Sequence, residues 1–105
     1  MKYNFELYKG DIKVGTMTAL DNGTKYEWHI ILYPETTFCG MKDTVTLTEA
    51  EDWLYERIIP PTRIGIENNL KGMGLQEYDE VDILKFTKGK SVRDDYWVKF
   101  IEEIY

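Results

Sequence analysis

The chain has 105 residues, of which 43% are hydrophobic and 30% are charged, and its formal net charge is −6. Such a length and mixture predict one folded domain and exclude a disordered chain. Lysine and arginine residues stand singly along the sequence, which argues against direct nucleic-acid binding and favours a partner with a basic surface.

Alternation of apolar and polar residues predicts two strands at the start of the chain. The first covers residues 3–8, and the second covers residues 12–20 with Gly15 as a candidate bulge. The side chains expected on the inner face are Tyr3, Phe5 and Leu7 in the first strand and Ile12, Val14 and Thr16 in the second.

A hairpin and a third strand follow. Asn22 and Gly23 predict a tight turn, because both residues adopt the positive φ angles that such turns require. The third strand covers residues 25–33, and its apolar run Ile30-Ile31-Leu32 indicates a central strand covered on both faces. The segment 34–42 has loop composition but carries apolar side chains, so we expect it to fold over the core; contact with a partner is the alternative.

From Thr48 the spacing of apolar residues becomes helical. Thr48 and Glu51 form a predicted capping box, and the first helix runs to about Ile58, just before a pair of prolines. Thr62 is expected to cap a second helix and Asp79 a third, shorter one.

Residues 96–101 fit either a last strand or a helix, and we expect a strand over residues 96–98 that returns to the sheet. The elements together predict an α+β fold, in which a small antiparallel β-meander of three to four strands packs with about three short helices. We expect a single domain over residues 1–105.

The sequence offers no catalytic constellation, metal site or cofactor motif, so we expect a protein that is not an enzyme. His29 is the only histidine and Cys39 the only cysteine. Neither has neighbours with the spacing of metal ligands or of a catalytic relay. The unpaired cysteine, the lack of an apolar signal segment and the lack of a run of about 18 apolar residues predict a cytoplasmic location without a membrane span.

An acidic patch surrounds Tyr78 and consists of Glu77, Asp79, Glu80 and Asp82. These carboxylates are the cap and dipole partners of the third helix, a docking surface for a basic protein, or an imitation of the phosphate track of a nucleic acid.

Arginine and aromatic residues form the second candidate surface. Arg57 and Arg63 flank the proline pair, where they either contact a partner or tie helix ends together through carbonyls and a carboxylate. Trp53, Tyr55 and Trp97 are side chains of the type that anchors protein interfaces, and core packing is the alternative for both tryptophans.

A recognisable wording runs through the second half of the chain, of the form W-L-x-x-R-x-I-P-x-x-R … G-L … G-x-S-x-x-D-x-Y-W-V. It is carried by Leu54, Arg57, Pro60, Arg63, Gly74-Leu75, Gly89, Ser91, Asp94, Tyr96, Trp97 and Val98. This wording resembles the amino-terminal subdomain of HipA-type toxin kinases, in particular short clostridial forms. The opening strands, with Val14-Gly15-Thr16, resemble the first hairpin of the same subdomain.

In that family a kinase domain follows this segment, whereas the present sequence ends at Tyr105, so no catalytic residue carries over. The resemblance implies a free-standing subdomain like the small HipS partner of three-part toxin–antitoxin systems, which binds and restrains the kinase. It implies a HipA-type serine/threonine kinase encoded nearby as the partner and, through that kinase, a further DNA-binding subunit.

We therefore expect a non-catalytic, antitoxin-like regulator that docks on such a kinase. The residues expected to contact the partner are Trp53, Tyr55, Arg57, Arg63, Glu77, Asp79, Glu80 and Asp82. The alternative hypothesis is a phage or mobile-element protein that inhibits a host defence complex through the acidic residues, in which case binding would weaken steeply with salt.

Overall fold

A computed structural model describes residues 1–105 and shows an α+β fold, which confirms the predicted class. In chain order the elements are β1 (Lys2–Lys9), β2 (Ile12–Asp21), β3 (Tyr26–Leu32), β4 (Thr37–Phe38), β5 (Met41–Lys42), α1 (Leu47–Arg57), α2 (Ile66–Gly72), α3 (Glu80–Thr87) and β6 (Tyr96–Ile104). Strands β1, β2, β3 and β6 form one antiparallel sheet in the order β3-β2-β1-β6, and β4 pairs with β5.

The last strand returns to the sheet as predicted and pairs with β1, which makes β1 a central strand. The prediction that the third strand is central is wrong, because β3 lies at the edge of the sheet. Its apolar run divides between the two faces: Ile30 is buried, whereas Ile31 is 68% exposed. An edge strand with apolar residues on both faces therefore has the same sequence pattern as a central strand that is covered on both faces.

A bulge in β2 changes which side chains face the core. Leu7 lies opposite Gly15 but Tyr8 lies opposite Lys13, so Val14 is the extra residue. The inward set is therefore Gly15, Met17 and Ala19 after the bulge, with Val14 also buried and Ile12 exposed. The expected inward positions of Ile12 and Thr16 are wrong, because strict alternation cannot continue through a bulge.

The hairpin between β2 and β3 is confirmed, but the predicted tight turn is wrong: the connection has four residues, 22–25, and Asn22 does not adopt a positive φ. The Asn22 side-chain Oδ1 accepts hydrogen bonds from the backbone N–H groups of Thr24 and Lys25 at 3.1 and 3.0 Å. Gly23 has a φ of 96°, as the turn requires. The small β4–β5 hairpin lies over the core, as expected for that segment, and buries Phe38 completely.

Helix α1 begins two residues earlier than predicted. The capping box is formed by Thr46 and Glu49: the Thr46 Oγ1 accepts from the Glu49 N–H and the Glu49 carboxylate accepts from the Thr46 N–H, both at 3.1 Å. Thr48 and Glu51 repeat the same spacing inside the helix. The local pattern therefore fits two starting points.

The predicted N-cap is wrong for α2 and confirmed for α3. Thr62 does not cap α2, which begins at Ile66 after Gly65 has taken a φ of 80°. Asp79 caps α3 as predicted, because its Oδ1 accepts from the Asp82 N–H at 3.1 Å.

One cluster of 18 buried hydrophobic residues joins the inner face of the sheet to the helices. Its fully buried large side chains include Phe5, Leu7 and Met17 from the sheet and Leu54 and Leu84 from α1 and α3. The outer face of the sheet has no helix against it. No helix is long and apolar enough to cross a membrane.

Candidate partner-binding surface

Trp53 is a core residue. Only 4% of it is exposed, and its ring lies 5.3 Å from that of Phe38, centroid to centroid. Its Nε1–H points at the Cys39 Sγ at 3.2 Å, and a Cβ added to Gly89 would lie 3.5 Å from the ring. Its proposed role as an exposed partner anchor is therefore wrong, because core neighbours cover the indole.

Arg57 ties the end of α1 to the turn that precedes β6. The guanidinium donates from Nη1 to the Asp94 Oδ1 at 3.1 Å, from Nη2 to the other carboxylate oxygen, and from Nη1 to the Gly89 carbonyl at 3.2 Å. Its side chain is only 9% exposed. The same guanidinium lowers the pKa of the Asp94 carboxyl. Of the two roles considered for Arg57, the structural one fits this geometry, since its donors are already engaged within the chain.

We define the Arg57 corner as Cys39, Trp53, Arg57, Gly89 and Asp94. These residues come from the β4–β5 turn, α1 and the segment after α3, and they meet through the contacts just described. Arg57, Gly89 and Asp94 are among the residues that carry the resemblance, and Trp53 is the first residue of the same pattern. In this chain these residues of the sequence pattern pack against one another, so the pattern supports the fold and does not by itself indicate a reaction.

Cys39 is not an activated nucleophile. Burial raises the pKa of its thiol to about 11, although the Arg57 charge and the Trp53 N–H act in the opposite direction. A thiol with that pKa is protonated at neutral pH, and the thiolate is the reactive form. No group of three or more His, Cys, Asp or Glu side chains is placed to hold a metal ion.

Arg63 lies apart from the Arg57 corner. It is exposed in the turn between α1 and α2, where its backbone N–H donates to the Pro60 carbonyl at 3.2 Å. The next residue, Ile64, is 98% exposed. Arg57 therefore joins two parts of the chain, whereas Arg63 is an exposed surface charge.

The acidic residues do not form one continuous free patch. Asp79 caps α3 and also accepts a hydrogen bond from the Tyr26 hydroxyl at 2.7 Å. The Asp82 carboxylate lies 3.8 Å from the Lys85 ammonium, and Glu77 is exposed. Asp79 therefore acts as the N-cap of α3, whereas Glu80 differs from the other three acidic residues.

Glu80 is partly buried without a cationic partner. Its Oε2 is shielded from solvent and has no hydrogen-bond partner. Burial raises the pKa of this carboxyl, and the neighbouring carboxylates of Asp79 and Glu51 raise it further. A carboxylate in this position is costly to ionise, and a cation supplied from outside would lower that cost.

Tyr55 brings the aromatic and the acidic candidates together. It is 60% exposed, and its hydroxyl donates to the Glu51 Oε1 at 3.1 Å. The hydrogen bond to Glu51, and more weakly the charge of Glu80, raise the pKa of Tyr55. Burial and the Glu80 charge also raise the pKa of Tyr78 to about 12, and its hydroxyl donates to the Ile59 carbonyl at 2.6 Å.

We call Glu51, Tyr55, Tyr78 and Glu80 the Tyr55 face. It combines an exposed ring with two carboxylates that lack a counter-ion, so it suits a lysine or arginine side chain of a partner, which would gain both an ion pair and contact with the ring. Sequence reasoning missed Glu51. Its position four residues before Tyr55 on one helix was the available signal.

Comparisons of the chain with protein-family models, with curated proteins and with solved structures found no match.

Proposed function

We propose that this chain is a non-catalytic protein-binding module that docks on a HipA-type serine/threonine kinase and restrains it. The resemblance of the sequence supplies the class of the partner. The observation that carries the binding role is the Tyr55 face, where a ring that is 60% exposed lies beside the unpaired carboxylate of Glu80.

Charge supports a basic surface on the partner. The chain carries a formal net charge of −6, and the carboxylates of Glu51 and Glu80 have no salt-bridge partner within it. A partner cation bound at Glu51 would stabilise the charge of Glu80 through space, since the buried Oε2 of Glu80 is itself shielded from contact. Complementary charge of this kind sets the orientation of docking and speeds association.

The support beneath this surface favours binding without rearrangement. Tyr55 stands on α1 between Trp53, which is fixed in the core, and Arg57, which is fixed to Asp94. A surface held in place before binding loses little conformational entropy when the partner arrives.

Calorimetric titration of the purified chain against the HipA-type kinase encoded beside it tests the proposal. We expect saturable binding that weakens at least tenfold in Tyr55→Ala, since truncating an aromatic anchor costs about 2 kcal/mol or more. The matched control is Phe86→Ala, which removes a ring of similar exposure, 58%, from α3. Absence of binding, or equal losses in both variants, would contradict the proposal.

A cytoplasmic location belongs to the same proposal, because that is where the resemblance places such a kinase. The alternative, a phage or mobile-element inhibitor acting through its acidic residues, has weaker support. Asp79 and Asp82 already have partners within the chain, so they are less available to imitate a track of phosphates.

A further inference from the structure

Two aromatic rings stack on the outer face of the sheet, away from the helices. Tyr8 and Trp97 lie opposite each other in the β1–β6 register, with their ring centroids 4.7 Å apart and their planes inclined by 17°. The Trp97 Nε1–H donates to the Gly10 carbonyl at 2.7 Å, which fixes the orientation of the indole. Both residues remain partly accessible to solvent.

Lysines that are dispersed in the sequence gather around this stack. The Lys88 and Lys90 ammonium groups lie 5.9 and 5.5 Å from the centroid of the Trp97 ring. Lys99 is two residues beyond Trp97 on the same side of β6, opposite Glu6 of β1. We call Tyr8, Trp97, Lys88, Lys90 and Lys99 the aromatic–lysine platform.

Nearby carboxylates are in part already neutralised. Glu6 forms an ion pair with Lys13 at 2.7 Å, and Asp94 is paired with Arg57. Asp11 and Asp95 remain, on the rim of a cavity of about 350 Å³ that Lys90 and Trp97 also line. The platform is therefore locally basic toward Lys88 and Lys99, whereas the unpaired carboxylates of the Tyr55 face lie on the helical side of the sheet.

We propose that the aromatic–lysine platform binds single-stranded nucleic acid without sequence preference. The Tyr8–Trp97 contact uses one face of each ring, and the Lys88 and Lys90 ammonium groups lie over Trp97. A base would therefore stack on the outer face of Trp97 and displace these lysines, which would then contact the phosphates, as in proteins that hold single strands of mixed sequence. The partly exposed aromatic rings favour a nucleic acid over an acidic peptide, because nucleobases are flat and stack on rings whereas carboxylate side chains do not. The inference is independent of the proposed kinase partner. It departs from the expectation that the chain does not bind nucleic acid directly, because the fold brings Lys88 and Lys90 together at Trp97.

Fluorescence anisotropy of a labelled oligothymidylate, measured with the full chain over a series of salt concentrations, tests the inference. We expect binding that weakens linearly on a plot of log affinity against log salt. The double variant Lys88→Gln, Lys90→Gln should reduce that slope by about 1.4, since each phosphate contact on a single strand contributes about 0.7. The double variant Lys25→Gln, Lys71→Gln carries the same change in charge away from the platform and should keep the wild-type slope.

A second variant separates stacking from charge. Tyr8→Leu keeps an apolar side chain on the strand and removes the ring, and it should weaken binding at least fivefold while circular dichroism shows an unchanged fold. The inference is overturned if the wild-type chain does not bind the oligonucleotide. It is also overturned if Tyr8→Leu binds normally and polyglutamate displaces the oligonucleotide as well as unlabelled oligothymidylate does, since the platform would then be a general surface for polyanions.

Discussion

Arg57 and Asp94 lie 37 residues apart in the chain, and the guanidinium of the first holds both carboxylate oxygens of the second. This ion pair joins the last turn of α1 to the turn before β6, two segments that are not connected by the hydrogen bonds of the sheet. It fixes the helix on which Tyr55 is presented. The proposed surface therefore depends on an ion pair that does not itself face the partner.

Replacing Arg57 by Met should lower the free energy of unfolding by about 2–3 kcal/mol, because a partly buried carboxylate and the Gly89 carbonyl lose their charged donor. Urea unfolding followed by tryptophan fluorescence measures the loss. Arg63→Met is the control and should change stability by less than about 0.5 kcal/mol, since the residue is exposed. Equal losses in the two variants would show that the Arg57 corner does not stabilise the fold.

The Glu80 carboxyl should make the free energy of unfolding fall as the pH rises above the ordinary pKa of a glutamate side chain. Its pKa is higher in the folded state than the ordinary value of 4.5, so the folded state binds the proton more tightly. The resulting stabilisation is complete below pH 4.5 and is lost as pH rises through the folded pKa. Thermal unfolding at a series of pH values should show a decline in wild type that Glu80→Gln removes and that Glu77→Gln retains. A decline that persists in Glu80→Gln would contradict this assignment.

Gly15→Ala should destabilise the sheet. A Cβ at this position would overlap the Ile31 carbonyl oxygen, so β2 and β3 would have to separate locally. Overpacking of this kind costs about 1–3 kcal/mol. Gly72→Ala is the matched control: its Cβ meets no atom within 4 Å, and alanine in a helix should stabilise by about 0.5–1 kcal/mol. Chemical denaturation measures the free energy of unfolding of both variants, which should fall for Gly15→Ala and rise for Gly72→Ala. An unchanged free energy of unfolding in Gly15→Ala would contradict the close approach of β2 and β3.

Trp53 and Tyr55 should differ sharply in stability measurements. Trp53→Ala removes a ring from the core and should cost about 3–5 kcal/mol, whereas Tyr55→Ala should cost less than about 1 kcal/mol. Differential scanning calorimetry of the single variants tests this. Similar melting temperatures in the two variants would contradict the burial of Trp53. The contrast also means that binding studies must vary Tyr55 alone, because a change at Trp53 would disturb the helix that carries it.

Local signals in the sequence were sufficient for much of the fold. Asn22 marked the hairpin and Asp79 the start of α3, because each acts through hydrogen bonds to residues two or three positions away. Thr46 and Thr48 show the limit of such signals. Both begin the same four-residue pattern, and the local pattern does not say which of the two caps α1.

The candidate surface depended on contacts that the sequence does not display. Arg57 and Asp94 are 37 residues apart, and only the tertiary fold brings them together. Trp53 and Tyr55 stand two residues apart on a helix whose buried side is set by the sheet. Glu80 was identified as one of four acidic residues, but its loss of solvent depends on the packing of α3 near α1. Only the pairing of Tyr55 with Glu51 follows from helical spacing alone.

The central claim is that the chain restrains a HipA-type kinase, and the most direct test is the activity of that kinase as the purified chain is added. We predict that phosphorylation falls to a plateau at one equivalent of wild type or of Phe86→Ala, and that Tyr55→Ala requires at least tenfold more protein. Kinase activity that stays constant at every concentration of the wild-type chain would contradict the account.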